Sequence, residues 1–184
     1  MGFNKALIRV DDQPIISLQV ARARQLTSRI LISSNDDSSY RFLNVPVIPD
    51  QFIGCGPLAG LHAAMHWNEC SLYIVLACDL PNLQPLFLSH LVSLSNGFDA
   101  AIPRTKDGVA HPLCAIYRRT CLPSIEKALQ QGSNKFIETF LDSTLSVRWI
   151  ESDEGFYKDA DLANINTLED LQRLNRPLLS GPYI

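Results

Sequence analysis

Two aspartates that follow short apolar runs are the residues best suited to do chemistry in this sequence. Asp79 ends the run at residues 72–78, and Asp50 comes after the run at residues 45–48. In open α/β sheets ligands bind beyond the carboxyl ends of the strands, where a carboxylate is placed to hold a hard cation such as Mg²⁺. A second interpretation is that Asp79 only caps the turn that leads to Pro81. From the strand end alone, both interpretations stay open.

A glycine-rich segment and a lysine accompany these two carboxylates. Gly56 and Pro57 come directly before a run of leucines at helical spacing, which predicts a glycine-rich loop that opens a helix. The free N–H groups and the dipole at such a helix start favour an anion. Together with Lys5 near the N-terminus, this set could hold a nucleoside triphosphate and its metal.

Two histidines have the spacing of metal ligands. His62 and His66 are four residues apart on the predicted helix, so both imidazoles face one side of it. No glutamate adjoins His62, and no third ligand is evident in the sequence. We therefore expect surface or interface imidazoles rather than a zinc site.

Several enzyme classes are excluded because their motifs are missing. The sequence has no Gly-x-Ser-x-Gly elbow and no convincing Cys/His pairing, which argues against a covalent hydrolase. It has neither a complete Walker loop nor a Gly-x-Gly-x-x-Gly turn, which argues against ordinary P-loop and dinucleotide-binding enzymes. The five cysteines are odd in number and form no Cys-x-x-Cys pair, so we expect reduced thiols, several of them buried.

The composition favours one globular domain in the cytoplasm. The chain has 184 residues, of which 46% are hydrophobic and 19% are charged, enough to bury one core. A net charge of −3 gives no basic excess, so we expect no binding to nucleic acid or to an anionic membrane surface. No apolar run approaches the ~18 residues that span a bilayer, and no signal-peptide pattern opens the chain.

The elements that must position these residues alternate along the chain. The patterns predict strands at residues 29–33, 45–48, 72–77, 100–102, 112–117 and 147–150. They predict helices at residues 14–27 and 122–131, and others that begin at Pro57, Pro85, Ser133 and Thr167. The run at 72–78 is typical of a strand buried on both faces, and Asp107-Gly108 predicts a hairpin grafted on the sheet. We expect one three-layer α/β domain over residues 1–176, followed by a loose tail at 177–184.

Five short motifs run in order along nearly the whole chain. They are Met-Gly-Phe-Asn-Lys-Ala-Leu (1–7), Gly-Pro-Leu-Ala-Gly-Leu (56–61), Cys-Asp-Leu-Pro (78–81), His-Pro-Leu (111–113) and Asn-Ile-Asn-Thr-Leu-Glu-Asp-Leu (164–171). In order and spacing they resemble the molybdenum cofactor guanylyltransferases. The resemblance implies a Rossmann-like nucleotidyltransferase fold, with a mostly parallel sheet and a small antiparallel part.

The same resemblance assigns roles on the nucleotide side. It implies that Lys5 contacts the triphosphate, that Asp50 contacts the nucleoside, and that Asp79 contacts both the nucleotide and Mg²⁺. Ser33 stands where the family often has another polar residue that contacts the nucleotide. Lys5 and Asp79 would therefore be the catalytic residues, with Asp79 as the metal ligand.

On the acceptor side, the resemblance implies that Asn164 and Asn166 face the pterin. The implied reaction moves GMP from GTP to the molybdopterin cofactor and releases pyrophosphate. A molybdoenzyme or a cofactor-insertion protein would be a further partner of a monomer or weak oligomer. A relative that uses CTP or a sugar phosphate, and a non-catalytic copy, are the alternatives.

The sequence departs from the family pattern at its start. That pattern begins with a strand and a Gly-Gly-x-Ser-x-Arg-Met-Gly phosphate loop, and this sequence starts at the Met-Gly end of it. Either a longer natural chain or a copy without activity would explain the difference. Asn4 also stands where the family usually has aspartate, which removes one negative charge beside Lys5.

Overall fold

The computed structural model of the chain describes residues 4–10, 12–141 and 144–165. Within them the strands are β1 (Arg9–Val10), β2 (Gln13–Pro14), β3 (Ile32–Ser33), β4 (Val47–Ile48), β5 (Leu72–Leu76), β6 (Ala100–Arg104), β7 (Cys114–Arg118) and β8 (Val147–Glu151). The helices are α1 (Ile15–Arg24), α2 (Pro57–Trp67), α3 (Pro85–Leu94), α4 (Leu122–Gln130) and α5 (Phe136–Leu141). Asn166, the helix predicted from Thr167 and the tail at 177–184 lie outside the described residues.

Four strands form the main sheet in the order β5-β7-β6-β8. Strand β7 runs antiparallel to both of its neighbours, and β6 runs parallel to β8. Three of the four strands therefore share one direction, and the sheet is mixed, with one parallel and two antiparallel pairings. The predicted hairpin of β6 and β7 is present, but it is not grafted on the sheet, because β7 lies inside it between β5 and β6.

Helices cover both faces of this sheet. Alternate residues of the strands point to opposite sides, so Ala115 and Tyr117 of β7 pack in one core with α2, α4 and α5. Cys114 and Ile116 pack in a second core with α3. Burial raises the pKa of the Cys114 thiol to about 12, as for a small hydrophobe in a core. In the described ranges, no helix is both long enough and apolar enough to cross a membrane.

Strands β3 and β4 form a second, smaller sheet that is separate from the main one. Strands β3 and β4 pair in parallel, with Ile32 opposite Val47 and Ser33 opposite Ile48. Their hydrophobic cluster includes Ile16 and Val20 of α1. The predicted strand at 29–33 is shortened to its last two residues.

A groove of about 940 Å³ separates β3 from β5. Residues 29–33 line it from one side and residues 72–79 from the other. Arg29 Nη1 lies 3.6 Å from Cys70 Sγ, so both runs enter the groove from the same end. The prediction that β5 is buried on both faces is wrong: all five of its residues are only half-buried. The reason is that, among the described residues, no strand pairs with its groove-facing edge.

Candidate nucleotide-binding site

The first part of the site is a hydrogen-bonded pair at the carboxyl ends of β3 and β4. Parallel pairing of these strands brings Ser33 and Asp50 together, and the Ser33 hydroxyl donates to Asp50 Oδ1 at 2.7 Å. The backbone N–H of Asp50 donates to Asn35 Oδ1 at 3.0 Å, which holds the aspartate in place. Both Ser33 and Asp50 line the groove. Two residues that the resemblance assigned to the nucleotide are thus in direct contact.

Gly60 of α2 lies against this pair. A Cβ at this position would be 2.7 Å from Ser33 Oγ and 3.2 Å from Ser33 Cβ, so any larger residue would force the Ser33 side chain to shift. Gly60 belongs to the motif at residues 56–61, but no role was predicted for it from the sequence. The available signal was its place inside a helical pattern, since glycine there costs about 1 kcal/mol relative to alanine.

The glycine-rich segment opens a helix, as predicted. Gly56 has φ 62° and ψ −153°, a conformation essentially restricted to glycine, and α2 begins at the next residue. Gly56 and Pro57 both line the groove, and no side chain is hydrogen-bonded as a cap at this end. The N-terminus of α2 therefore presents its positive dipole end to the groove.

Asp79 and Lys5 both lie near Cys78 at the carboxyl end of β5. Burial raises the pKa of the Cys78 thiol, the charge of Asp79 raises it further, and the charge of Lys5 lowers it. Both charges therefore lie close enough to act on one thiol. Asp79 lines the groove, and Lys5 stands in a turn of 3₁₀ helix, Lys5–Leu7. The structure thus brings together the two residues predicted to be catalytic.

Asn4 fixes the turn that carries Lys5. Its side-chain oxygen accepts the Ala6 N–H at 3.1 Å, as an N-cap does. Its amide nitrogen donates to the Tyr40 hydroxyl at 2.9 Å. Asparagine here removes a negative charge, as the sequence indicated, and its amide can donate to Tyr40 as an ionised aspartate could not.

Helix α1 holds the turn that follows Asp79. Gln19 Nε2 donates to the Leu80 carbonyl at 2.7 Å, and Arg22 Nη1 donates to the same oxygen at 3.1 Å. Arg22 Nη2 also donates to the Pro81 carbonyl. Gln19 is buried, and burial lowers the pKa of Arg22. Gln19 and Arg22 could not be predicted as positioning residues from the sequence, because they lie about 60 residues before the turn that they hold.

The segment predicted to face the pterin lies at the same strand end. The Ile165 N–H donates to the Asp79 carbonyl at 3.0 Å, and the Ile165 side chain is buried. Asn164 is the residue before Ile165, so this contact brings it close to Asp79, and its side chain is exposed. Asn166 lies outside the described residues.

The His-Pro-Leu motif borders β5 from the opposite side. The Ala77 N–H donates to the Leu113 carbonyl at 2.5 Å. Burial lowers the pKa of His111, and the charge of Asp159 works in the opposite direction. The motif thus joins the β6–β7 hairpin to the segment between β5 and Asp79.

Glu126 of α4 corrects the prediction for the two histidines of α2. Its Oε1 lies 3.0 Å from His66 Nε2 and 3.9 Å from His62 Nε2. A third potential ligand is therefore present, and His62 is buried rather than at the surface. Burial is the main cause that lowers the pKa of His62. The sequence could not reveal this neighbour, since 60 residues separate His66 from Glu126.

Comparisons with known proteins identify the family. A family model described as the MobA-like NTP transferase domain matches residues 1–145. A probable molybdenum cofactor guanylyltransferase of Carboxydothermus hydrogenoformans is 36% identical over 177 residues, which cover 95% of this chain and 88% of that protein.

Solved structures extend the agreement to the fold. Molybdopterin-guanine dinucleotide biosynthesis protein A of Archaeoglobus fulgidus matches with a TM-score of 0.74 and 26% identity, over 95% of this chain and 90% of that one. The 2-C-methyl-D-erythritol 4-phosphate cytidylyltransferase of Thermus thermophilus matches with a TM-score of 0.72 over 93% and 91%, but at 13% identity it shows a shared fold only. Both matches confirm the Rossmann-like nucleotidyltransferase fold. The chain belongs to the family of MobA-like NTP transferases.

Proposed function

We propose that this chain transfers GMP from GTP to the terminal phosphate of the molybdopterin cofactor and releases pyrophosphate. The observation that carries the proposal is that Ser33, Asp50 and Asp79 line one groove, with Lys5 close to Cys78 at its end. The Ser33–Asp50 pair stands at the end of β3, and Asp79 with Lys5 stands at the end of β5. The relatives that share most of the chain have names that specify this reaction.

The groove offers separate groups for the nucleoside and for the phosphates. Asp50 is an acceptor held by the Ser33 hydroxyl and by Asn35, so it can receive hydrogen bonds from a base or ribose. Lys5 and the N-terminus of α2 supply positive charge for the triphosphate. Guanine as the base is proposed from the family, not from a contact to a base edge.

The acceptor needs alignment more than it needs activation. A phosphate monoester has a second pKa of about 6, so its oxygens are largely ionised at neutral pH and can attack without a strong general base. Asn164, next to the backbone that bonds Asp79, can orient the pterin by hydrogen bonds, and Asn166 is proposed to do the same. Lys5 would offset the negative charge that collects on the phosphates as the new bond forms.

Magnesium is proposed as the metal, and Asp79 as its ligand. Mg²⁺ is usually held by one or two carboxylates together with substrate phosphates and waters, not by an all-protein cage. A half-buried carboxylate at the groove end fits this pattern. The ion would neutralise phosphate charge and help to orient the triphosphate.

The remaining parts of the proposal concern the setting of the reaction. We expect a cytoplasmic monomer or weak oligomer that passes its product to a molybdoenzyme or a cofactor-insertion protein. These partners follow from the family resemblance alone.

The test is a product assay with two nucleotides. The purified chain is incubated with molybdopterin cofactor, Mg²⁺ and either GTP or CTP labelled at the α-phosphate. From GTP we expect labelled dinucleotide and an equal amount of unlabelled pyrophosphate. From CTP we expect product at a rate at least about tenfold lower, which corresponds to an activation free energy higher by about 1.4 kcal/mol. Equal rates would contradict the choice of guanine, and no product from either nucleotide would contradict the proposed reaction.

A further inference from the structure

A group of metal-ligating side chains lies between α2 and α4, away from the groove. It consists of His62, His66 and Glu126, whose ligand atoms all lie within 4.8 Å of one another. None of the three lines the groove. The proposed nucleotide chemistry does not use them.

The distances in this group suit one small ion. Ligands about 2.0–2.1 Å from a tetrahedral zinc ion are separated from each other by about 3.3 Å. Glu126 Oε1 lies 3.0 Å from His66 Nε2 and 3.9 Å from His62 Nε2, so these two separations lie on either side of that value, and all three ligand atoms lie within 4.8 Å of one another. Small rotations of exposed side chains would equalise them. We propose that His62, His66 and Glu126 bind one Zn²⁺ ion that links α2 to α4.

A simple ion pair between His66 and Glu126 explains only part of this geometry. His62 is 3% exposed, yet its Nε2 faces the same carboxylate at 3.9 Å, too far for a hydrogen bond. Its Nδ1 is also buried without a hydrogen-bond partner among the described residues. Nδ1 lies on the other edge of the ring, so it would not bind the ion itself. The evidence for a missing ligand is Nε2, which belongs to a buried ring and faces the carboxylate beyond hydrogen-bond distance, whereas buried imidazole nitrogens normally have partners.

The access and the donor set of the cluster fit zinc. Two imidazole nitrogens and one carboxylate are common zinc ligands, and three protein ligands leave one position for water. The side chains of His66 and Glu126 are 39% and 37% exposed, so solvent can reach that position. Mg²⁺ prefers oxygen ligands, so this cluster would select a different ion from the one proposed at Asp79.

A bound ion here would also restrain the loop that follows Asp50 in the proposed nucleotide site. The His62 ring packs edge-on against Phe52 at 5.0 Å between ring centroids, and Phe52 lies two residues after Asp50. A zinc ion would thus hold α2, α4 and the loop after Asp50 in one arrangement. Because the ion would bind the folded chain only, it would also raise the melting temperature.

The test is metal binding by the full chain after treatment with a chelator. Zn²⁺ is titrated by calorimetry, and Co²⁺ is used as a visible probe of four-coordinate sites. The informative variants are His66→Ala and Glu126→Gln, which change exposed side chains. His90→Ala is the matched control, since this histidine lies outside the cluster and packs against Phe156.

We expect one Zn²⁺ per chain, a higher melting temperature with Zn²⁺, and four-coordinate Co²⁺ bands. His66→Ala should weaken Zn²⁺ binding about 100-fold or more, because even outer partners of metal ligands contribute 10–100-fold. Glu126→Gln should weaken it as well, and His90→Ala should leave it within about twofold of the unaltered chain, a difference of less than half a kcal/mol. The proposal is wrong if the unaltered chain does not bind Zn²⁺, if His66→Ala binds it equally well, or if His90→Ala loses it to the same degree.

Discussion

The four-stranded sheet and the β3–β4 pair are built in different ways. Strands β6 and β7 are buried between helices on both faces, and apolar packing holds them. The pair β3–β4 has only two residues per strand and packs in a smaller hydrophobic cluster with α1, and the Ser33–Asp50 hydrogen bond lies at its carboxyl end. Between the two units lies the groove that carries the candidate residues. The larger unit thus supplies most of the packed core, and each unit contributes polar groups to the groove at the carboxyl end of one strand.

The edges that face the groove give the largest expected effect. β3 and β5 each pair on one side only among the described residues, so their other edges can accept a strand. An extension of about 20 residues ahead of Met1, the length of an apolar strand plus a glycine-rich phosphate loop, should fill this space. Each buried polar group that gains a partner contributes about 1–3 kcal/mol. Thermal unfolding should become more cooperative, and GTP should bind more tightly than to the 184-residue chain.

The control for this experiment is an extension of equal length in which the strand residues are replaced by alternating lysine and glutamate. Such a segment cannot line an apolar groove. If both extensions, or neither, change unfolding and GTP binding, the groove does not accept a strand.

Asp79→Asn should leave the fold intact and lower turnover by about 100-fold or more. The amide keeps the shape of the carboxylate and loses the charge, and metal charge stabilisation is worth several kcal/mol. Asp107→Asn, in the exposed turn between β6 and β7, is the matched control and should retain full turnover. Steady-state rates over a range of Mg²⁺ concentrations provide the measurement. Unchanged rates and Mg²⁺ dependence in Asp79→Asn would remove this residue from the site.

Two isoleucines that are paired across neighbouring strands allow the packing of β5 and β7 to be compared. Ile116 of β7 is fully buried, whereas its partner Ile74 of β5 is half-buried beside the groove. Ile116→Ala should lower the free energy of unfolding by about 2–5 kcal/mol, the usual range for a core position. Ile74→Ala should lower it by less, because less apolar surface leaves a packed environment. Urea unfolding of both variants tests this, and equal losses would mean that β5 is as well packed as β7.

Gly60→Ala should disturb the site with a smaller effect on the fold. The added methyl would meet Ser33 Oγ at 2.7 Å, so the hydroxyl must move away from Asp50. We expect GTP affinity to fall by about tenfold, the equivalent of one lost hydrogen bond of about 1.4 kcal/mol. Ser33→Ala removes the closer atom, so the same glycine change should cost less in that background. Purely additive effects on GTP affinity would show that Gly60 does not act through Ser33.

The sequence predicts local features of this fold better than long-range ones. Helices begin at Pro57 and Pro85 as predicted, because proline at a first helical position is a local signal. The place of β7 inside the sheet was missed, because strand order depends on contacts between distant residues. The alternation of predicted strands and helices along the chain was enough to predict a three-layer α/β arrangement.

The site divides in the same way. The position of Asp79 at a strand end is a local signal in the sequence, whereas the pairing of Ser33 with Asp50 was not predicted. Gly60 as a close-approach residue and Glu126 beside the histidines both needed three-dimensional neighbours. Sequence patterns therefore identify residues with suitable chemistry, and the fold decides which of them meet.

Equilibrium binding of GTP, with and without Mg²⁺, tests most directly whether the groove is a nucleotide site. The account predicts that Mg²⁺ strengthens GTP binding to the unaltered chain and has little effect on Asp79→Asn. Lys5→Ala should weaken GTP binding in both conditions, because its positive charge is proposed to contact the phosphates. If GTP binds equally well to all three proteins, or if Mg²⁺ strengthens binding to Asp79→Asn as much as to the unaltered chain, the central claim is contradicted.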